Sequence, residues 1–170
     1  AATGCTRFYI HARKAILGGL TPAQNRSSPP LQLWRVQKLK MQLPHLEIIV
    51  NGGITDEDQA LEHLAWADGI MIGRAAYHNP MLLAELERRL FNPHHQTVTS
   101  DILTEYIDYM QHELNSGTRL SAMTRHLLHC CNGMPGARKF RRLLSDSKRL
   151  KLNDLAIVHE AIDQVFAEAA

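Results

Sequence analysis

Two glycine-rich loops carry the residues best suited to hold an anion. Asn51-Gly52-Gly53 interrupts the stretch EIIVNGGIT, and Gly73-Arg74 interrupts DGIMIGRAAYHNP. Each follows a short aliphatic run, Ile48 to Val50 in the first and Ile70 to Ile72 in the second, which reads as a buried parallel strand delivering a loop. Glycine there lets the backbone bend sharply or approach a ligand closely. Unpaired backbone N–H groups favour an anion, and Arg74 can add charge-assisted bonds to phosphate. A single Gly-Gly is a tight turn; its pairing with Gly-Arg after the next strand points to a phosphate site. His11 ends the run FYIHA, with Arg13 and Lys14 just beyond it, and joins the set because barrel enzymes gather their functional groups at C-terminal strand ends.

A second chemistry lies further along. Between Arg119 and Lys151 the basic residues are Arg119, Arg125, Arg138, Lys139, Arg141, Arg142, Lys148, Arg149 and Lys151, against the single acid Asp146. A solvated helix face normally interleaves both signs, so this asymmetry is the electrostatic footprint of a polyanion partner. Zinc is a weaker reading: His94-His95 and His126-x-x-His129 lack a third ligand at a convincing spacing, and solvated or helix-packing histidines explain them better. Cys5, Cys130 and Cys131 form neither a disulfide framework nor a Cys-x-x-Cys site, which points to a reducing cytoplasm. No run approaches the ~20 apolar residues of a membrane span. The chain opens on AATGCTRFYIH without an initiating Met, as though partway through a longer protein.

The elements that must position these groups follow from periodicity and punctuation. Arg7 to Ala12 is a strand candidate; the polar loop LTPAQNRSSPPL leads to a helix over Leu33 to Leu43, ended by Pro44. The strand Ile48 to Val50 precedes a helix opened by Thr55 with Asp58 three residues on, a variant capping box. The strand Gly69 to Ile72 precedes NPMLLAELERRLF, where Asn79 can cap and Pro80 occupies the first turn. Alternation of strand and helix implies parallel pairing. A (β/α)8 barrel takes about 250 residues, so residues 1–91 are expected to be its last three strands. Residues 92–98 form a linker within FNPHHQTVTS, and residues 99–170 a helical bundle. The bundle helices run from a Thr99 or Ser100 cap to Gly117, from Leu120 to Cys131, through ARKFRRLLS, and onward from an Asn153 cap. The expected fold class is thus α/β plus all-α, the C-terminal part of a TIM barrel followed by a helical bundle.

The blocks FYIHARKA, GLTPAQNRSSPPL, IIVNGGI, DGIMIGRAAYHNP and RHLLHCCNGMPGARKFRRLLS, in this order over nearly the whole chain, resemble the C-terminal half of a tRNA-dihydrouridine synthase of the A branch. The resemblance implies an FMN-binding barrel and a helical tRNA-binding domain. FMN, reduced by NADPH, would deliver hydride to D-loop uridines, those at 20 and 20a for this branch. It further implies that Asn51, Gly52, Gly53, Gly73 and Arg74 hold the FMN phosphate and that His11 contacts the flavin. Arg26, Lys139 and Arg142 match positions that orient tRNA.

The departures from the family are equally informative. The family's general acid is a cysteine in an Asn-x-x-Cys-Pro context, and the chain contains no such motif. None of its three cysteines takes that role, and the flavin-contacting Gln and Lys of the early strands are absent too. The resemblance therefore implies no catalytic residue here, an inactive chain on its own, and a missing N-terminal half of the barrel as partner. The alternative is a truncated, non-catalytic RNA-binding protein that keeps the helical domain.

Overall fold

The computed structural model describes residues 4–166. They fall into two compact units that divide between Ala76 and Tyr77. The expected division at residues 92–98 comes later than this one, because the segment from Tyr77 onward already spends its contacts on the helical part. The first three and last four residues of the two expected domains lie outside the described residues.

In the first unit, strands β1 (Arg7–His11), β2 (Glu47–Asn51) and β3 (Gly69–Met71) form a parallel sheet in the order β1-β2-β3. The register pairs Tyr9 with Ile49 and Ile49 with Gly69. Period-two alternation then gives the sheet two different faces. Phe8, Ile10, Ile48, Val50 and Ile70 share one face and pack with Val36, Leu39 and Leu46 into a core. The other face carries Tyr9, 61% exposed, and Met71, 44% exposed. One face is covered by helix; on the other the central Ile49 is buried while the flanking Tyr9 and Met71 are exposed.

Helices α1 (Pro22–Asn25), α2 (Leu33–Gln42) and α3 (Glu57–Leu64) follow the strands. The short α1 was not foreseen. Thr21 and Gln24 form a capping box, with the Gln24 N–H donating to Thr21 Oγ1 at 3.2 Å and the Thr21 N–H to Gln24 Oε1 at 2.8 Å. The cap of α3 is Asp56, not Thr55: Asp56 Oδ1 accepts from the Gln59 N–H at 2.9 Å, and Gln59 Nε2 donates back at 2.7 Å. Asp68 fastens the start of β2. Its carboxylate accepts from the Ile48 N–H at 2.8 Å and pairs with Lys40 at 2.6 Å, and these two contacts, the backbone one first, hold it below the usual carboxylate range.

A five-residue helix, α4 (Arg74–His78), spans the division and leads to α5 (Met81–Leu90). Asn79 does not cap α5 by its side chain, and Pro80 stands at the cap. The second unit continues with α6 (Thr99–Asn115), α7 (Leu120–Thr124), α8 (Ala137–Leu143), α9 (Ser147–Leu150) and α10 (Ala156–Phe166). Its core holds Met110, Leu120, Phe140, Val158 and Val165, each fully buried. The foreseen helix from Leu120 to Cys131 ends at Thr124 and gives way to turns. Val98, not Thr99 or Ser100, stands at the cap of α6. Asn153 caps nothing on α10; its Oδ1 accepts from the Leu120 N–H at 3.0 Å, while Asp154 serves the Ala156 N–H at 2.8 Å.

Candidate functional site

The sheet register sets His11 beside Asn51 and Asn51 beside Met71, so three strand ends stand at one level on the open face. The Ala12 N–H donates to the Asn51 carbonyl at 2.8 Å and extends that level by one residue. Asn51 Nδ2 lies 3.3 Å from Met71 Sδ, joining the ends of β2 and β3.

Gly52 and Gly53 then turn away with φ of 119° and 80°, the positive region that side chains disfavour. Space agrees with conformation. A Cβ on Gly52 would stand 3.2 Å from the His11 ring and 3.1 Å from Leu31, and one on Gly53 would collide with Leu31. The loop is therefore glycine because imidazole and leucine press against it. The N–H groups of Gly52, Gly53 and Gly73 have no hydrogen-bond partner among the described residues, and Gly73 faces open space. Such amides suit an anion.

Arg74 is exposed, and its Nη2 donates to the Arg26 carbonyl at 3.1 Å. Two residues read as parts of different sites are thereby in contact. Asn25 fixes this loop, accepting from the Ile16 N–H at 2.8 Å and donating to the Ile16 carbonyl at 2.9 Å. Arg74 keeps further guanidinium donors for a ligand. Beside His11, a cavity of about 290 Å3 is lined by Arg13, Lys14, Gln32 and Arg35 among others. Arg13 donates to the Pro29 carbonyl through Nη1, while its buried Nε has no partner.

In the helical unit, α8 buries Ala137 and Phe140 and exposes Arg138, Lys139 and Arg142. Arg141 is half-buried and donates to Asn132 Oδ1 at 2.9 Å. The lone acid of the basic segment is occupied: Asp146 Oδ1 accepts from the N–H groups of Lys148 and Arg149 at 3.0 and 3.2 Å. Arg149 pairs with Glu160 at 2.6 Å. Arg142, Ser145, Ser147 and Lys148 help line a shallow depression of about 620 Å3.

Both thiols of this unit are shifted by their surroundings. Burial pushes Cys130 up, and burial followed by the neighbouring Cys130 pushes Cys131 up to about 11. Among the described residues no group of His, Cys, Asp and Glu could hold a metal ion. His126 and His129 lie against the ring of Tyr77, a partner outside the solvated or helix-packing roles expected for them.

Parallel strands whose ends share a glycine-rich loop, followed by an all-helical unit with a basic surface, define the class of protein. A family model described as dihydrouridine synthase (Dus) matches residues 1–167, and the chain belongs to that family. It is 43% identical over 163 residues to a tRNA-dihydrouridine(20/20a) synthase of Vibrio cholerae, an alignment covering 95% of this chain and 50% of the relative. A protein of the same name from Salmonella typhimurium is 42% identical over 164 residues, covering 95% and 49%. One from Synechocystis sp. is 44% identical over 151 residues, covering 88% and 45%. The chain spans about half the length of the curated relatives it matches.

Proposed function

We propose that the chain is the C-terminal portion of an FMN-dependent tRNA-dihydrouridine synthase that reduces D-loop uridines, those at 20 and 20a, using NADPH in the cytoplasm. The observation that carries this reading is the cradle at the strand ends, where unpartnered Gly52 and Gly53 amides sit beside His11 and Asn51. FMN fits it: its phosphate matches open backbone donors and a nearby guanidinium. When bound, the flavin supplies the hydride chemistry and NADPH the reducing equivalents. The amides of Gly52, Gly53 and Gly73, with Asn51 and Arg74, would bind and neutralise the phosphate, while His11 would contact the ring. The open face of the sheet, with Tyr9 and Met71 exposed, becomes the barrel interior once the preceding strands close it.

The helical unit supplies the RNA surface. Arg26, Lys139 and Arg142 orient tRNA through its phosphates, which position without reading sequence. No thiol here serves as general acid, so the 170-residue chain alone forms no dihydrouridine. The second reading, a non-catalytic RNA-binding protein, draws on the self-contained core of the helical unit. The two differ on flavin. A protein with the complete barrel should purify yellow, and Arg74→Ala should weaken its FMN retention by about 1–3 kcal/mol; a colourless complete protein rejects the flavin reading. Replacing Lys139 or Arg142 with Ala should weaken tRNA binding and lower the salt slope by somewhat less than about one unit each. An unchanged slope removes that residue from the phosphate contacts.

A further inference from the structure

Four rings of the helical unit take no part in the assignments above. Tyr77 and His78 end α4, and His126 and His129 lie in the turns after α7. Tyr77 makes T-shaped contacts with His78 at 5.8 Å and 79°, with His126 at 5.8 Å and 87°, and with His129 at 6.0 Å and 64°. His78 and His129 close the group at 4.9 Å and 87°. No pair is stacked parallel, and Tyr77 keeps 45% of its surface exposed, surface that a flat group can meet.

The cluster is ordered by polar contacts. The Tyr77 hydroxyl donates to the Arg125 carbonyl at 3.3 Å, and His78 Nδ1 lies 3.3 Å from His129 Nε2. Asn132 donates to the His78 carbonyl at 3.0 Å and accepts from Arg141 at 2.9 Å. Yet it is not buried: Tyr77 is 45% exposed, and His78, His126 and Arg125 are exposed as well. Rings held this firmly at the surface belong to a binding site more readily than to a core. Through Arg141 the cluster is tied to α8, which carries the exposed Arg138, Lys139 and Arg142. Proteins that hold single-stranded nucleic acid combine these two parts, a cationic track for the backbone and aromatic side chains for the bases.

We propose that Tyr77, with His126 and His129 around it, is a stacking platform for an unpaired base of the RNA held on the α8 surface. The proposal rests on the tRNA reading above and adds a contact of another kind, made to a base and not to a phosphate. Stacking accepts any base and removes no counterion, so it contributes affinity without salt dependence.

The test titrates the 170-residue chain with an unmodified tRNA transcript at several salt concentrations. Tyr77→Leu should weaken binding by roughly ten- to a hundredfold at every salt concentration and leave the slope of log affinity against log salt unchanged. Tyr77→Phe, which keeps the ring and loses only the hydroxyl bond, should bind nearly as the parent does. Tyr77→Trp retains a ring in the cluster, and its added fluorescence should be quenched on saturation with tRNA, beyond any change from Trp34 and Trp66 in the parent. Parent-like affinity of Tyr77→Leu, or added fluorescence that does not respond to tRNA, overturns the platform while leaving the phosphate contacts standing. A parent chain that binds no tRNA overturns the RNA reading and the platform together.

Discussion

The sheet unit and the helical unit bury apolar surface in different ways, and the difference bears on function. In the helical unit Met110, Leu120, Phe140, Val158 and Val165 are fully buried in a core that closes on itself. Its core draws together elements distant in sequence: α8 packs on α10, and the Leu120 N–H bonds Asn153 Oδ1 across 33 residues. In the sheet unit the buried members of the core are Ala12, Val36, Leu46, Ile48, Val50 and Ala67, all to one side of three strands. β1 buries no residue, and its alternate positions Arg7, Tyr9 and His11 are exposed. A parallel sheet is normally covered on both faces. The unit with the glycine-rich strand ends is therefore the one with an uncovered face, while the unit with the basic surface closes its own core.

The largest effects should fall where packing is closed. Phe140→Ala removes a ring with no exposed surface and should cost about 3–5 kcal/mol, read by denaturant unfolding of the helical circular-dichroism signal. Ile48→Ala, equally buried, should cost nearer ~2 kcal/mol, because half-buried neighbours such as Phe8 and Ile10 can relax into the space. Equal costs would erase the contrast. Gly136→Ala should come next. Gly136 has φ of 77°, and a Cβ there would meet the Gln164 carbonyl of α10, so the left-handed strain of ~1–2 kcal/mol is a lower bound for the loss.

The smallest effect should be at Asp68. Its carboxyl is held below the usual range by the Ile48 N–H and Lys40, so its contribution is fully present above the unfolded value of about 3.9 and is lost as pH falls through the lower folded value. Asp68→Asn should cost about 1 kcal/mol at neutral pH, allowing for its partial exposure. It should also flatten the acid limb of stability against pH; an unaltered limb would assign that limb to other groups.

The sequence made some of this legible and hid the rest for physical reasons. The strands and their glycine ends could be read because aliphatic runs and glycine are local signals: Ile48 to Val50 lies within β2, and the run expected over Gly69 to Ile72 forms β3, which ends one residue earlier at Met71. Caps were less legible, since several residues compete: Thr55 adjoins Asp56, and it is the Asp56 carboxylate that reaches the Gln59 N–H. The helix from Leu120 to Cys131 was a fair local reading that tertiary contacts override. Cys130 N–H bonds the Leu127 carbonyl and His126 N–H bonds the Met123 carbonyl, three residues back and not four, as His126 and His129 turn to meet Tyr77. The level shared by His11 and Asn51 followed from parallel pairing, whereas the bond from Arg74 to the Arg26 carbonyl joins loops 48 residues apart and had no local signal.

Amide hydrogen exchange on the 170-residue chain, with and without unmodified tRNA, tests the central contrast most directly. Without RNA, protection should concentrate in α6, α8 and α10, with little in Ile48 to Val50, and tRNA should add protection between residues 125 and 149. Equal protection of both units, or added protection confined to the strands, would contradict the account.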